Sequence, residues 1–170
     1  MLFRSILGDK IKTAEQIQSS IRRIAYQIYE NNIEENQLVI IGIAPRGSEL
    51  ARSIIEALDN FSDLDITFGE LKMDKENPRD TMECDLPLSQ LENQSIVIVD
   101  DVLNTGSTLI YAVQHFLNIS VKQIKTTVMV NRNHKKFPIK ADFKGISLST
   151  SLNEHVTVVL DGEKGGVFLR

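Results

Sequence analysis

The chain has 170 residues, 42% of them hydrophobic and 25% charged, with 23 acidic against 19 basic side chains, the make-up of one ordinary globular domain spanning 1–170. At this length folding buries roughly 70% of the surface the unfolded chain exposes, enough for a core without disulfides or structural metal; the single Cys84 forms no internal disulfide, and one cysteine with three scattered histidines makes no zinc site. The net charge of −4 argues against a surface that is an electrostatic nucleic-acid clamp throughout. No run approaches the ~20 apolar residues of a membrane-spanning helix. MLFRSILGDKIK, interrupted by Arg4 and lacking a small-residue cleavage site, does not read as a signal peptide. The expected location is the cytoplasm.

From Thr13 to Asn31, Ile17, Ile21, Ile24, Ala25 and Ile28 recur at helical steps with polar residues between them, which predicts an amphipathic helix capped by the Thr13 hydroxyl. QLVIIGIAPRG is a continuous β-branched run ended by Pro45 and Gly47, the pattern of a strand buried on both faces of a parallel sheet. A helix is predicted from Ser48 to Leu58 and a strand from Leu64 to Leu71. MDKENPRDTMECDLPL has no sustained period and reads as a long mobile loop, a length usually reserved for function. Ser95–Val99 is the clearest strand, followed by a helix marked by Leu109, Val113, Phe116 and Leu117. Strands are expected again over Lys125–Val130, around Ile146 and over Val156–Leu160. Alternation of buried strands with helices predicts an α/β, doubly wound, mainly parallel sheet, whose ligands bind outside the carboxyl ends of the strands where the strand order reverses.

The segment VIVDDVLNTGSTL carries the chemistry. Its strand ends in adjacent acids, Asp100 and Asp101, and within a few residues Thr105, Gly106, Ser107 and Thr108 open a helix. Such a helix start gathers free amides, the positive end of the macrodipole, small residues that admit close approach and hydroxyl donors, and so it suits a phosphate. The two acids upstream repel a bare polyphosphate but can accept hydrogen bonds from vicinal sugar hydroxyls or hold Mg²⁺ through water. The implied ligand is a sugar phosphate. A plain strand-to-helix turn would need one capping residue, not two acids followed by TGST. Neither the P-loop pattern nor G-x-G-x-x-G after the first strand is present, which argues against a P-loop nucleotidase and a dinucleotide-binding fold.

The segment from Ile96 to Leu109 resembles the phosphoribosyl pyrophosphate (PRPP) motif of the type I phosphoribosyltransferases: an apolar strand, two acids and a T-G-S/T turn. IGIAPRGSELA adds a second element, with Ala44, Pro45, Arg46 and Gly47 where the family places its pyrophosphate loop; Gly47 lets amides turn toward an anion and Arg46 adds charge. IRRIAYQIYE, FGEL at Phe68–Leu71 and VNRNHKKFPIKADFKGISLSTS extend the likeness over nearly the whole chain. They are similar to the bifunctional pyrimidine operon regulators that also act as uracil phosphoribosyltransferases. The resemblance implies a type I phosphoribosyltransferase fold with a small hood, Mg²⁺ as cofactor and transfer of phosphoribose from PRPP to a nucleobase, uracil first among them. It assigns Asp100 and Asp101 to the ribose hydroxyls and Mg²⁺, Thr105–Thr108 to the 5′-phosphate, Ala44–Gly47 to pyrophosphate, and Arg132, Asn133 and His134 in the hood segment from Val130 to Ser151 to the base. It also implies a homodimer or higher homo-oligomer, with the first helix and the hood as contact surfaces.

The family's closing loop carries a Tyr-Arg pair, whereas KMDKENPRDTM has no tyrosine and offers only Arg79. Asn104 stands where purine-type relatives carry an aspartate, and Asn131 where an aspartate is expected. A second reading is an RNA-binding regulator that takes PRPP or nucleotide as effector, using Arg132, Lys135, Lys136 and Lys140 with Arg22 and Arg23. The absence of interleaved aromatics and the acidic total place it behind the enzyme.

Overall fold

Thr13 opens the first helix as its spacing predicts. Its Oγ1 accepts the Gln16 amide at 3.2 Å while the Gln16 side chain accepts the Thr13 amide at 3.0 Å, a reciprocal capping box. The computed structural model describes residues 6–170; Arg4, which interrupts the N-terminal apolar stretch, lies outside the described residues. The elements run in the order β1 (Asp9–Thr13), α1 (Ala14–Asn31), β2 (Gln37–Ile43), α2 (Arg46–Asp59), β3 (Asp65–Met73), β4 (Met82–Cys84), β5 (Ser95–Leu103), α3 (Ser107–Phe116), β6 (Gln123–Arg132), β7 (Phe143–Leu148), β8 (Val156–Val159) and β9 (Gly166–Leu169).

A six-stranded sheet has the order β4-β3-β2-β5-β6-β7, parallel throughout except for β4 against β3. The side-chain period of two divides its central strands between two cores. Leu38, Ile40, Val97 and Val99 meet Ile17, Ile21, Ile24 and Ile28 of α1 and Leu50, Ile54 and Leu58 of α2. Val39, Ile41, Ile96, Ile98 and Val128 pack with Leu109, Ala112 and Phe116 of α3. Apolar residues on both faces explain why these strands read as continuous β-branched runs. The chain leaves β2 toward β3 on one side and returns as β5 on the other, so the strand order reverses between β2 and β5, and their carboxyl ends flank a crevice. Among the described residues no helix is long and apolar enough to cross a membrane.

Three differences from the sequence expectation matter to the site. β5 does not stop at Val99 but continues through both acids to Leu103, because β6 pairs with it from Ser95 to Leu103 and fixes their directions. The segment read as one long loop contains β4, which pairs antiparallel with Leu71–Met73 and leaves residues 74–81 as the connection. The stretch assigned to the hood is divided: Arg132 ends β6, residues 133–142 form a loop and Phe143–Leu148 is the edge strand β7. A separate three-stranded antiparallel sheet, β1-β9-β8, is built from the two ends of the described chain, packs against α1 and touches β5 through β8.

Candidate active site

Two glycines seat α2 against the sheet. A Cβ on Gly42 would come within 2.5 Å of the Ser48 Cα, and one on Gly47 would collide with the Val99 carbonyl oxygen of β5. This close approach brings Arg46, at the start of α2, beside Asp101 with Nη1 3.8 Å from Oδ2. That is charge proximity and not a hydrogen bond. The Ala44 amide donates to the Leu71 carbonyl at 2.9 Å, which ties the start of the turn to the end of β3.

Asp100 and Asp101 are both buried, at 2% and 7% exposure. Side chains alternate along β5, so Asp100 falls on the α3 side with Ile98 and Asp101 on the α2 side with Val99. Asp100 Oδ1 accepts the Asp101 amide at 2.9 Å and receives the Lys75 ammonium at 3.0 Å. Burial pushes the Asp100 carboxyl up to about 7; the Lys75 charge opposes this and the Asp101 charge adds to it. Lys75 sits in the connection between β3 and β4, and neither its position nor its partner was signalled by the sequence. Arg79, the cation the sequence offered in that connection, instead lines a separate cleft with Tyr111, Gln114 and His115.

The phosphate-type turn follows. Gly106 has φ +87, and a Cβ there would strike the Ile139 methyl. Gly106→Ala is therefore expected to cost about 1–3 kcal/mol of stability, measured by urea unfolding. The Thr105 carbonyl accepts the amides of Lys136 at 2.8 Å and Phe137 at 3.1 Å, so the 133–142 loop braces the turn. The Ser107 amide donates to Thr105 Oγ1 at 3.2 Å. Whereas α1 carries a full capping box, the N-cap residue of α3 is Gly106 and has no side chain to cap it; with the Ser107 amide held by Thr105, the next amides, of Thr108 and Leu109, are left for an anion.

These parts enclose a cavity of about 480 Å³ lined by Pro45, Arg46, Lys75, the run from Asp100 to Leu109, His155 and Val156. Of the pyrophosphate-loop residues, Pro45 and Arg46 reach the lining; Ala44 and Gly47 stand behind it as backbone supports. His155 was not expected here. Its backbone pairs with Arg170 at 2.7 and 3.0 Å, so the small sheet carries it over the cavity, and nothing local in the sequence announces that pairing.

Arg132, Asn133 and His134 lie outside the cavity lining and converge instead on Thr150. Asn133 Oδ1 accepts the Thr150 amide at 3.1 Å, and His134 Nε2 lies 3.1 Å from the Thr150 hydroxyl. Arg132, 7% exposed, donates to Thr150 Oγ1 at 2.9 Å, Asn104 Oδ1 at 2.8 Å, and the carbonyls of Ser151 at 3.2 Å and Glu154 at 2.8 Å. It clasps the approach to β8 against the loop that follows the acids. Arg132→Ala leaves these acceptors unpaired and is expected to cost roughly 2–4 kcal/mol. Lysine does not rescue it, because a point ammonium cannot span the fork; thermal melts of both variants check this.

The parallel sheet with its reversal between β2 and β5, the paired acids and the uncapped turn define a type I phosphoribosyltransferase fold and ligand crevice. The chain belongs to the phosphoribosyl transferase domain family, whose match covers residues 8–161, and it groups with pyrimidine operon regulators. It is 36% identical over 152 residues to the pyrimidine operon regulatory protein of Lactococcus lactis subsp. lactis (strain IL1403), covering 86% of each chain. It is 31% identical over 165 residues to the bifunctional protein pyrR of Enterococcus faecalis (strain ATCC 47077 / OG1RF), covering 92% of each. The hypoxanthine phosphoribosyltransferase of Trypanosoma cruzi superposes with a TM-score of 0.80 over 97% of this chain and 98% of that one, at 18% identity, a likeness of fold.

Proposed function

We propose that the protein transfers the phosphoribosyl group of PRPP to a nucleobase, with uracil as the first candidate acceptor, releasing pyrophosphate. The observation that carries this reading is the meeting of two buried carboxylates and an uncapped helix start in one crevice. The amides and hydroxyls of Thr105–Thr108 hold the 5′-phosphate and supply the remote binding energy that positions the sugar. Asp100 and Asp101 accept the ribose hydroxyls, and their negative field favours the positive charge that develops on the ring as its bond to pyrophosphate breaks. Pro45 and Arg46 orient the pyrophosphate. Val156 and His155 form the wall against which the base lies, and the small sheet excludes water that would hydrolyse the activated sugar. No side-chain carboxylate stands at position 104 to take the base proton.

The donor set suits Mg²⁺. A cation, the Lys75 ammonium, already sits 3.0 Å from Asp100 Oδ1, and two carboxylates with no third acid fit an ion that binds through one or two carboxylates plus substrate phosphates. Asp100 and Asp101 would hold it, directly or through water, and when bound it neutralises the leaving pyrophosphate.

The test is a panel of uracil, cytosine, guanine, hypoxanthine and xanthine with PRPP and Mg²⁺, following pyrophosphate release. Release with uracil alone is expected, and release with none sinks the enzyme reading. A second reading is control of pyrimidine genes, the role for which the Lactococcus lactis relative is named, exerted through RNA. Lys135, Lys136 and Lys140 are also exposed on the loop that braces the phosphate turn. Gel shifts against a pyrimidine-operon leader at two salt concentrations test it; specific binding should weaken steeply with salt.

A further inference from the structure

Both acids of the crevice already face a cation from their own chain. Asp101 faces Arg46 at 3.8 Å and Asp100 faces Lys75 at 3.0 Å, and all four side chains line one cavity. The Lys75 pair is uneven: the ammonium side chain is 38% exposed at the mouth, while the carboxylate is 3% exposed at the floor. Lys75 therefore enters from solvent, two residues beyond the end of β3. Its root is held beside the pyrophosphate turn by the hydrogen bond from Ala44 to Leu71. Two turn contacts fold the connection around it, with the Asp74 carboxylate accepting the Glu76 amide at 3.0 Å and its carbonyl accepting the Asn77 amide at 3.1 Å.

Asp100 Oδ1 already accepts both the Asp101 amide and the Lys75 ammonium, which fills its two lone pairs. A ribose hydroxyl or divalent ion that takes this oxygen must therefore displace Lys75. The anionic group of PRPP that falls beside Arg46, and so beside the root of the Lys75 loop, is the pyrophosphate. We infer that Lys75 is an exchangeable counterion: it fills the cation position at Asp100 in the ligand-free protein and moves to the pyrophosphate oxygens when PRPP, with its divalent ion, takes that position. The inference rests on the PRPP reading above. It gives the β3–β4 connection a substrate-binding residue in place of the missing Tyr-Arg pair, at Lys75 and not at Arg79. It also makes metal entry depend on PRPP, because the free protein keeps its own cation at the acid.

Such an exchange gives effects of opposite sign, which a structural ion pair does not. Mn²⁺ is titrated into ligand-free wild type, Lys75→Met and Lys75→Arg at pH 8, with free Mn²⁺ read by electron paramagnetic resonance. PRPP with Mg²⁺ and ribose 5-phosphate, which lacks pyrophosphate, are titrated by calorimetry. Lys75→Met is expected to bind Mn²⁺ roughly fivefold more tightly than wild type, since a competing charge is gone. It should bind PRPP about tenfold more weakly, since a charge-assisted contact is lost, and ribose 5-phosphate no more weakly than wild type. Lys75→Arg should follow wild type in all three. Unchanged or weaker Mn²⁺ binding by Lys75→Met, no Mn²⁺ binding by any variant, or unchanged PRPP affinity overturns the exchange. Parallel weakening of all three ligands assigns Lys75 a structural role and overturns it as well. If wild type binds Mn²⁺ more weakly than Lys75→Met yet binds neither PRPP nor ribose 5-phosphate, the PRPP reading fails and the exchange with it, while the counterion contact alone is retained.

Discussion

Asp101→Asn is expected to lower kcat/KM for PRPP by about 10²–10⁴-fold while leaving the fold intact. The change is isosteric and lies within a strand whose neighbouring residues pair with β6 on either side, Asp100 with Val128 and Val102 with Val130. What is lost is the acceptor charge. Hydrogen bonds from ribose hydroxyls to a carboxylate are worth roughly 1.5–3 kcal/mol each, and each 1.4 kcal/mol is about a factor of ten in rate. The half-exposed Arg46 beside it contributes little stability through a 3.8 Å contact, so thermal unfolding should hardly move. Steady-state kinetics and a melt on one preparation check both halves. A variant retaining most of its activity removes Asp101 from the site.

Asp100→Asn is expected to raise stability, and to do so only away from acid. Burial lifts the Asp100 carboxyl from 3.8 to about 7 in the fold. Below pH 4 the carboxyl is protonated in folded and unfolded chains alike, and its ionisation costs nothing. Between pH 4 and 7 the unfolded chain ionises while the folded one resists, so wild-type stability falls with rising pH, and above 7 the penalty is constant. The shift, in which the Lys75 attraction is already included, is equivalent to roughly 4 kcal/mol at most, part of which relaxation and water penetration around the buried carboxylate recover. A net gain of about 2 kcal/mol, or roughly 5 °C in Tm, is expected at pH 8, shrinking toward zero at pH 4. Melts across that range decide it, and a pH-independent difference would show that burial does not set the Asp100 carboxyl. A buried acid whose ionisation is expected to cost stability is the kind of residue kept for a ligand.

The parts of this architecture that were legible in sequence are those whose determinants are local. Thr13 and Gln16 lie three residues apart and build a cap from their own backbone, and the apolar runs of β2 and β5 record burial on both faces. Asp100, Asp101 and Thr105–Thr108 come to one cavity because a single strand-turn-helix carries them. What stayed hidden is set by distant partners. β4 is three residues long and is a strand only because Leu71–Met73 offers it an edge. β1 is almost wholly exposed and shows no alternation to read. Lys75 is one polar residue among many in its connection, and only the fold brings it to Asp100. Arg132, which the resemblance assigns to the base, is otherwise one cation in a basic stretch; its burial follows from carbonyls at Ser151 and Glu154 that no motif foretells.

The antiparallel match of Asp9 with Leu169 orders the molecule in time as well as in space. During vectorial synthesis the strands from Gln37 to Leu148, and with them the acids and the phosphate turn, emerge before β9 exists. The small sheet that carries His155 over the cavity is thus completed last, and with it the part of the core that Val156, Val158 and Val167 supply.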